Sequence, residues 1–250
     1  MRKNLPIGMF DSGSGGISVL KAFRQVLPQE NYFYFGDHQN LPYGEKTPEE
    51  IRALTTSACD AMAEKGLKAL VIACNSASTA SLPALMGRYP FLVLGIEPPV
   101  AQAMALPGTG SLLVMATTAT LSSSRFIALA APFGKRIRPL PCPGLADLVE
   151  AEDSAAQKEY LGRLFAPINS SEVDALVLAC THYPLIKDLI AQAFQKAVPL
   201  IEGYEQAAHQ LAAQLKSAGL LAEPRHRGQV SLNSSGGKEL TARLERFFFD

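Results

Sequence analysis

Short apolar runs alternate with amphipathic stretches along most of the chain. The runs fall at residues 7–10, 32–35, 67–73, 91–96, 112–116, 175–179 and 198–201. Runs of this length, bounded by Gly, Pro or polar residues, predict strands buried in a parallel sheet. The helical pattern is clearest from Thr47 onward. Thr47-Pro48-Glu49-Glu50 reads as a capping box with proline at the first helical position. The apolar face then runs Ile51, Leu54, Ala58, Met62, and Gly66 closes the helix. Strands alternating with helices in this way predict an α/β fold.

One comparison within the chain extends this picture. Ala69-Leu70-Val71-Ile72-Ala73-Cys74 nearly repeats as Ala175-Leu176-Val177-Leu178-Ala179-Cys180, an offset of 106 residues. The same shift carries Met9 to Met115 and Asp11 to Thr117. Each half therefore opens with a strand ending in a polar pair, Asp11-Ser12 or Thr117-Thr118, and later has a strand ending in cysteine. Self-similarity at a fixed offset indicates duplication. Two such units present their binding edges at the carboxyl ends of their strands. Facing one another, they would set Cys74 and Cys180 on opposite sides of one cleft. The shift also carries Gly44 to Glu150, which by spacing alone reads as a surface glutamate.

Composition narrows the function classes. The chain has 250 residues, 48% hydrophobic and 18% charged, enough for one large domain or two smaller ones. Its 23 basic and 23 acidic residues balance, which gives no argument for a nucleic-acid or anionic-membrane partner. No apolar run approaches the roughly 20 residues of a membrane-spanning helix. Asp11 and the glycines interrupt any signal-peptide pattern, so a cytoplasmic protein is expected. Its cysteines, at 59, 74, 142 and 180, should then be reduced, and without a CxxC pair they offer no structural zinc site.

Three segments carry candidate chemistry. Asp11-Ser12-Gly13-Ser14-Gly15-Gly16 follows the first strand. It matches neither the dinucleotide fingerprint nor the P-loop. It reads either as a tight strand-to-helix turn or as a place where bare backbone and a helix N-terminus meet an anion. Cys74-Asn75-Ser76 and Cys180-Thr181-His182-Tyr183-Pro184 each follow an apolar strand and open an expected helix, where an N-terminus lowers a thiol's pKa. Asn75, Ser76 and Thr181 add donors suited to a small carboxylate, and His182 lies close enough to exchange a proton with Cys180. A single cysteine at a strand end is ordinarily packing; two at equivalent places in a duplicated fold point to function. Cys59 and Cys142 lack such surroundings and read as structural. Asp37, Pro42, Tyr43 and Gly44 fall in a strand-to-helix loop, where binding residues concentrate. His38, His209 and His226 read as surface or structural.

DSGSGG at 11–16, LPYG at 41–44, ACNSAS at 73–78, CPGLADLVE at 142–150 and ACTHYP at 179–184 resemble the glutamate racemases, in that order and at similar spacing. The resemblance runs from residue 7 to about 208. It implies two pseudo-symmetric three-layer α/β domains with mostly parallel sheets and an active site in the cleft between them. The first domain would take residues 1–95 plus 209–250 and the second 96–208. Cys74 and Cys180 would be the two acid/base groups, with Asp11 assisting Cys74, and His182 and Glu150 assisting Cys180. Substrate contacts carry over to Asp11, Ser12, Pro42, Tyr43, Gly44, Asn75, Ser76, Thr117, Thr120, Thr181 and His182. Glutamate is the implied substrate, with neither metal nor cofactor (no pyridoxal-phosphate signature is present) and a homodimer as the assembly often found. Ser76 stands where the family usually has threonine, Ala116 where glycine is common, and Glu97 at a variable position beside the cleft. Aspartate racemisation, a thiol hydrolase using Cys180 and His182, and a two-domain binding protein are the competing readings.

Overall fold

In the computed structural model, which describes residues 2–249, apolar residues on both faces of two sheets account for the runs seen in the sequence. The described strands are β1 (Ile7–Asp11), β2 (Tyr32–Gly36), β3 (Ala69–Ile72), β4 (Leu92–Gly95), β5 (Ser111–Ala116), β6 (Ile137–Pro141), β7 (Val173–Leu178), β8 (Leu200–Ile201) and β9 (Val230–Ser234). They form sheets of order β4-β3-β1-β2-β9 and β6-β5-β7-β8, with every pairing parallel. On one face of the first sheet Ile7, Met9 and Val71 pack with Leu20 and Phe23 of the helix Ile17–Val26. On the other, Phe10, Leu70 and Ile72 meet Ile51 and Met62 of the helix Pro48–Ala63 and Leu82 of the helix Asn75–Leu85. The second sheet is covered likewise. Leu113, Met115 and Leu178 meet Leu161 and Ile190, while Leu112, Val114 and Val177 meet Val100 and Phe126. Two three-layer α/β units result, as expected. Among the described residues no helix is long and apolar enough to cross a membrane.

The duplication is visible in the topology. Reading β4-β3-β1-β2 against β8-β7-β5-β6, the strands occur in the same sequence order within each sheet. The 106-residue shift also carries β2 onto β6, a strand absent from the expected set. Its sequence, Ile137-Arg138-Pro139-Leu140-Pro141, hides the apolar signal behind an arginine and two prolines. They are tolerated because β6 lies at a sheet edge, where one row of backbone groups needs no partner. The other unexpected strand, β9, is Val-Ser-Leu-Asn-Ser at the opposite edge of the first sheet, with no residue fully buried.

The capping box forms as read. Thr47 N donates to Glu50 Oε2 at 2.9 Å, and Glu50 N donates to Thr47 Oγ1 at 3.3 Å. The C-terminal part of the chain returns to the first sheet. The helix Tyr204–Ser217 packs Tyr204, Ala208, Leu211 and Leu215 into the first core. A buried ion pair secures this return. Lys68 Nζ, beside the Glu30 carboxylate, donates to the backbone carbonyls of Lys3 and Leu220, while Ala222 N donates to Glu30 Oε1 at 2.9 Å. Both side chains are almost wholly excluded from solvent. Removing one partner strands a charge, so Lys68→Met should lower the unfolding free energy by about 3 kcal/mol. Urea denaturation tests this; a change within a few tenths of a kcal/mol would show that the pair contributes nothing.

Candidate active site

β1, β3, β5 and β7 end at one place, the seam between the two units. Asp11 closes β1, Cys74 follows β3 as the N-cap of the helix Asn75–Leu85, Thr117 follows β5 as the N-cap of the helix Thr118–Ser122, and Cys180 follows β7. Cys74 and Cys180 both border the pocket at this seam, each with 6% of its surface exposed. Ser12, Pro42, Tyr43, Gly44, Asn75, Ser76 and Thr117 line it from the side of Cys74 and β5. Thr181, His182 and Glu150 line the side of Cys180. Among the described residues neither lysine nor arginine borders it.

The two predicted residues that do not border the pocket stand behind it. Asp11 is fully buried and accepts from Gly13 N at 3.0 Å and from Thr181 Oγ1 at 3.1 Å. Thr120 completes a hydroxyl cluster in which Ser76 Oγ lies 2.8 Å from Thr117 Oγ1 and 3.2 Å from Thr120 Oγ1. That cluster bridges the first unit to the second. Tyr43 is fixed by donating to Asp37 Oδ2 at 2.8 Å. Gly44 lies where a Cβ would come within 2.7 Å of Thr117 Cγ2, so glycine permits the loop to touch the other unit.

The surroundings of the two thiols differ. Ser12 Oγ donates to Cys74 Sγ at 3.4 Å. The helix N-terminus does not lower this thiol. Burial, with Asp11 next in effect, pushes it up to about 12, because desolvating a thiolate outweighs the nearby donors. At Cys180 the neighbour is His182, whose Nδ1 is 3.8 Å from the sulfur and whose Nε2 is 2.7 Å from Glu150 Oε1. The helix expected after Cys180 is a short 3-10 turn, Tyr183–Ile186, before the helix Lys187–Ala193. Burial opposes a charge on His182, yet its contacts with Cys180 and Glu150 raise it well above the ordinary imidazole range. For Glu150 burial is again outweighed, and His182, Ser14 and Arg243 hold it down to about 2.

Glu150 explains the glycine-rich motif. Ser14 N donates to Glu150 Oε1 at 2.6 Å and Ser14 Oγ donates to Oε2 at 3.1 Å. The anion at this helix entrance is thus the protein's own carboxylate. A Cβ at Gly13 would fall 2.3 Å from Glu150 Oε1, and one at Gly15 would fall 2.5 Å from Thr181 Oγ1. The glycines let the two units approach each other.

Several residues contribute without having been expected to. His38 is buried, with Nε2 3.0 Å from Ser14 Oγ and Nδ1 2.8 Å from Ser234 Oγ. Cys142, expected to be structural, does pack in the second core but also borders the pocket. Arg243, in the C-terminal helix Lys238–Phe249, pairs with the Glu150 carboxylate. No local pattern marked His38 or Arg243, since each acts through a partner remote in sequence, whereas Cys142 opens the CPGLADLVE segment and borders the pocket directly. Glu97 pairs with Arg125.

Two matched units, each bringing a cysteine to one seam, are the arrangement expected of a racemase, and comparison with known proteins shows that class. The chain belongs to the Asp/Glu/hydantoin racemase family, whose model matches residues 16–211. It is 41% identical over 238 residues to the glutamate racemase of Clostridium perfringens, covering 93% of this chain and 92% of that one. A glutamate racemase isoform from Bacillus anthracis superposes with a TM-score of 0.88 at 30% identity, over 99% of this chain and 95% of that one. The Escherichia coli glutamate racemase, solved in complex with L-glutamate and the activator UDP-MurNAc-ala, gives 0.83 at 30% identity over 97% and 95%.

Burial raises the Asp11 carboxyl from 3.8 to about 6, so the native state keeps a proton that the unfolded chain has released. This group's contribution is therefore greatest below about pH 4 and declines as pH rises toward 6, by ~3 kcal/mol. Glu150 acts in the opposite sense, contributing fully above pH 4.5 and losing that contribution as pH falls toward 2. Asp11→Asn should remove about 3 kcal/mol of the decline between pH 4 and 6 in urea-unfolding free energies, leaving the smaller part due to Asp147 and Glu202, whose carboxyls burial also raises. An unchanged decline in the variant would remove Asp11 as its cause.

Proposed function

We propose that this chain interconverts L- and D-glutamate without a cofactor, by proton transfer between the substrate's α-carbon and two cysteines. The observation that carries this reading is the placement of Cys74 and Cys180, at equivalent positions of a duplicated fold, on one enclosed pocket. Inverting a C–H bond requires one group to remove the proton from one face and another to deliver a proton to the opposite face. A thiolate on one side and a thiol on the other meet that requirement in both directions, with their roles exchanged. The glutamate racemases that match along nearly the whole chain, one of them holding L-glutamate, support glutamate as the substrate.

The pocket's electrostatics suit the carbanionic transition state. With no lysine or arginine at its wall, the substrate carboxylates meet backbone N–H groups at the entrances of the helices Asn75–Leu85 and Thr118–Ser122, joined by the hydroxyls of Ser76, Thr117 and Thr181. Asn75 Oδ1 is buried without a protein partner and is available to the substrate ammonium. Fixed donors in a site that excludes water stabilise developing negative charge without reorganising. Cys74, its thiol raised by burial, rests in the acid form ready to protonate the carbanion. Cys180 would then remove the proton from L-glutamate, with the His182 imidazolium as counter-charge. Cys74 would act as the base on D-glutamate, aided by the Ser12 hydroxyl. D-glutamate so formed in the cytoplasm would serve peptidoglycan synthesis.

Proton NMR of each enantiomer in deuterated buffer, alongside polarimetry, tests this directly. The wild-type chain should exchange the α-proton of both and bring each solution to zero rotation. Cys74→Ala and Cys180→Ala should each lose racemisation by at least about 10²- to 10⁴-fold. Full activity in either variant would sink the two-base assignment, and wild-type protein inert toward both enantiomers would sink the substrate.

A further inference from the structure

The C-terminal helix Lys238–Phe249 lies beyond residues 16–211 matched by the family model, yet it reaches the second unit's catalytic arm. Leu244 and Phe248 anchor it in the first core. From that anchored helix, Arg243 extends across the seam. Its Nη2 donates to the backbone carbonyl and to the Oε2 of Glu150, and its Nε lies 3.6 Å from Glu152 Oε1. Arg246, one turn along, pairs with Glu152 but makes no contact with Glu150 among the described residues.

We propose that Arg243 is a positioning residue for the Cys180 half of the reaction, holding Glu150 in the orientation that places His182 against the sulfur. This rests on the racemisation proposed above. The carboxylate's two oxygens are divided. Oε1 faces His182 Nε2 at 2.7 Å and Ser14 N at 2.6 Å, while Oε2 takes Ser14 Oγ at 3.1 Å and Arg243. Ser14 alone reaches both oxygens through neutral donors. Arg243 adds a permanent charge on the side away from His182 and also fixes the backbone at residue 150. Without it the carboxylate is free to turn, and the imidazole loses the partner that fixes its ring relative to Cys180. A chain of contacts thus runs from Arg243 through Glu150 and His182 to Cys180. Cys74 has no part in it, so the effect should fall on one proton transfer only.

The test compares Arg243→Met, Arg243→Lys and Arg246→Met with the wild-type chain, using glutamate deuterated at the α-carbon in each enantiomeric form. Arg243→Met should lower kcat by roughly 10- to 100-fold with KM little changed, as expected for a displaced catalytic group. Its primary isotope effect should rise for the enantiomer whose proton passes to Cys180 and not for the other. Arg243→Lys should recover part of kcat. Arg246→Met, which breaks a neighbouring contact between the units without touching Glu150, should behave as wild type. An unchanged kcat in Arg243→Met, equal isotope effects for both enantiomers, or an equal loss in Arg246→Met would overturn the proposal while leaving racemisation intact. Wild-type protein that exchanges neither α-proton would overturn both.

Discussion

The arrangement of this protein depends on a carboxylate placed between its two halves. A largely buried negative charge is costly unless paired and hydrogen-bonded. Glu150 is satisfied from three separate parts of the chain: the amide and hydroxyl of Ser14, the imidazole of His182, and the guanidinium of Arg243. Ser14 belongs to the first unit, His182 to the second, and Arg243 to the helix that returns from the far end of the sequence. The contacts from Ser14 and Arg243 require close approach of the units, and the bare backbone at Gly13 and Gly15 allows it. The cleft and its electrostatics are thereby fixed together.

Duplication supplies the symmetry that the chemistry needs, and divergence supplies the asymmetry. Equivalent strands β3 and β7 bring a cysteine from each unit to one pocket, the placement that the proposed proton transfer at two faces of a carbon requires. The supports around the thiols have since parted. Cys74 has a neutral hydroxyl donor and the buried carboxyl of Asp11. Cys180 has an imidazole whose hold on a proton is strengthened by its contacts with the sulfur and with Glu150. One arm thus rests as an acid in a desolvated setting, while the other stands beside a positive charge. The same contrast leaves His182 as the one basic side chain that borders the pocket among the described residues.

Several contributors sit outside the pocket. Asp11 touches the site through Thr181 and Gly13, Thr120 through Ser76 and Thr117, and His38 through Ser14. They hold in place the groups that meet the ligand, which is how a site on loops and helix entrances acquires fixed geometry. Their burial also explains why Asp11 is raised rather than lowered despite its hydrogen bonds.

The sequence alone determined what depends on local pattern and self-similarity. Apolar runs placed seven of the nine described strands, the capping box placed the helix Pro48–Ala63, and the offset between the two cysteine-ending strands revealed the pairing of the halves. β6 was within reach of that offset but hidden by its prolines, and β9 carried no apolar signal because an edge strand need bury little. Tertiary structure decided the charge states and the partnerships. A helix entrance after Cys74 suggested a lowered thiol, but burial reversed the sign, and burial is a property of the packed molecule. Glu150 read by spacing as a surface residue, and Arg243 carried no motif. Their meeting joins residues far apart in the chain, and only packing both units and the returning helix against one another brings them within hydrogen-bonding distance.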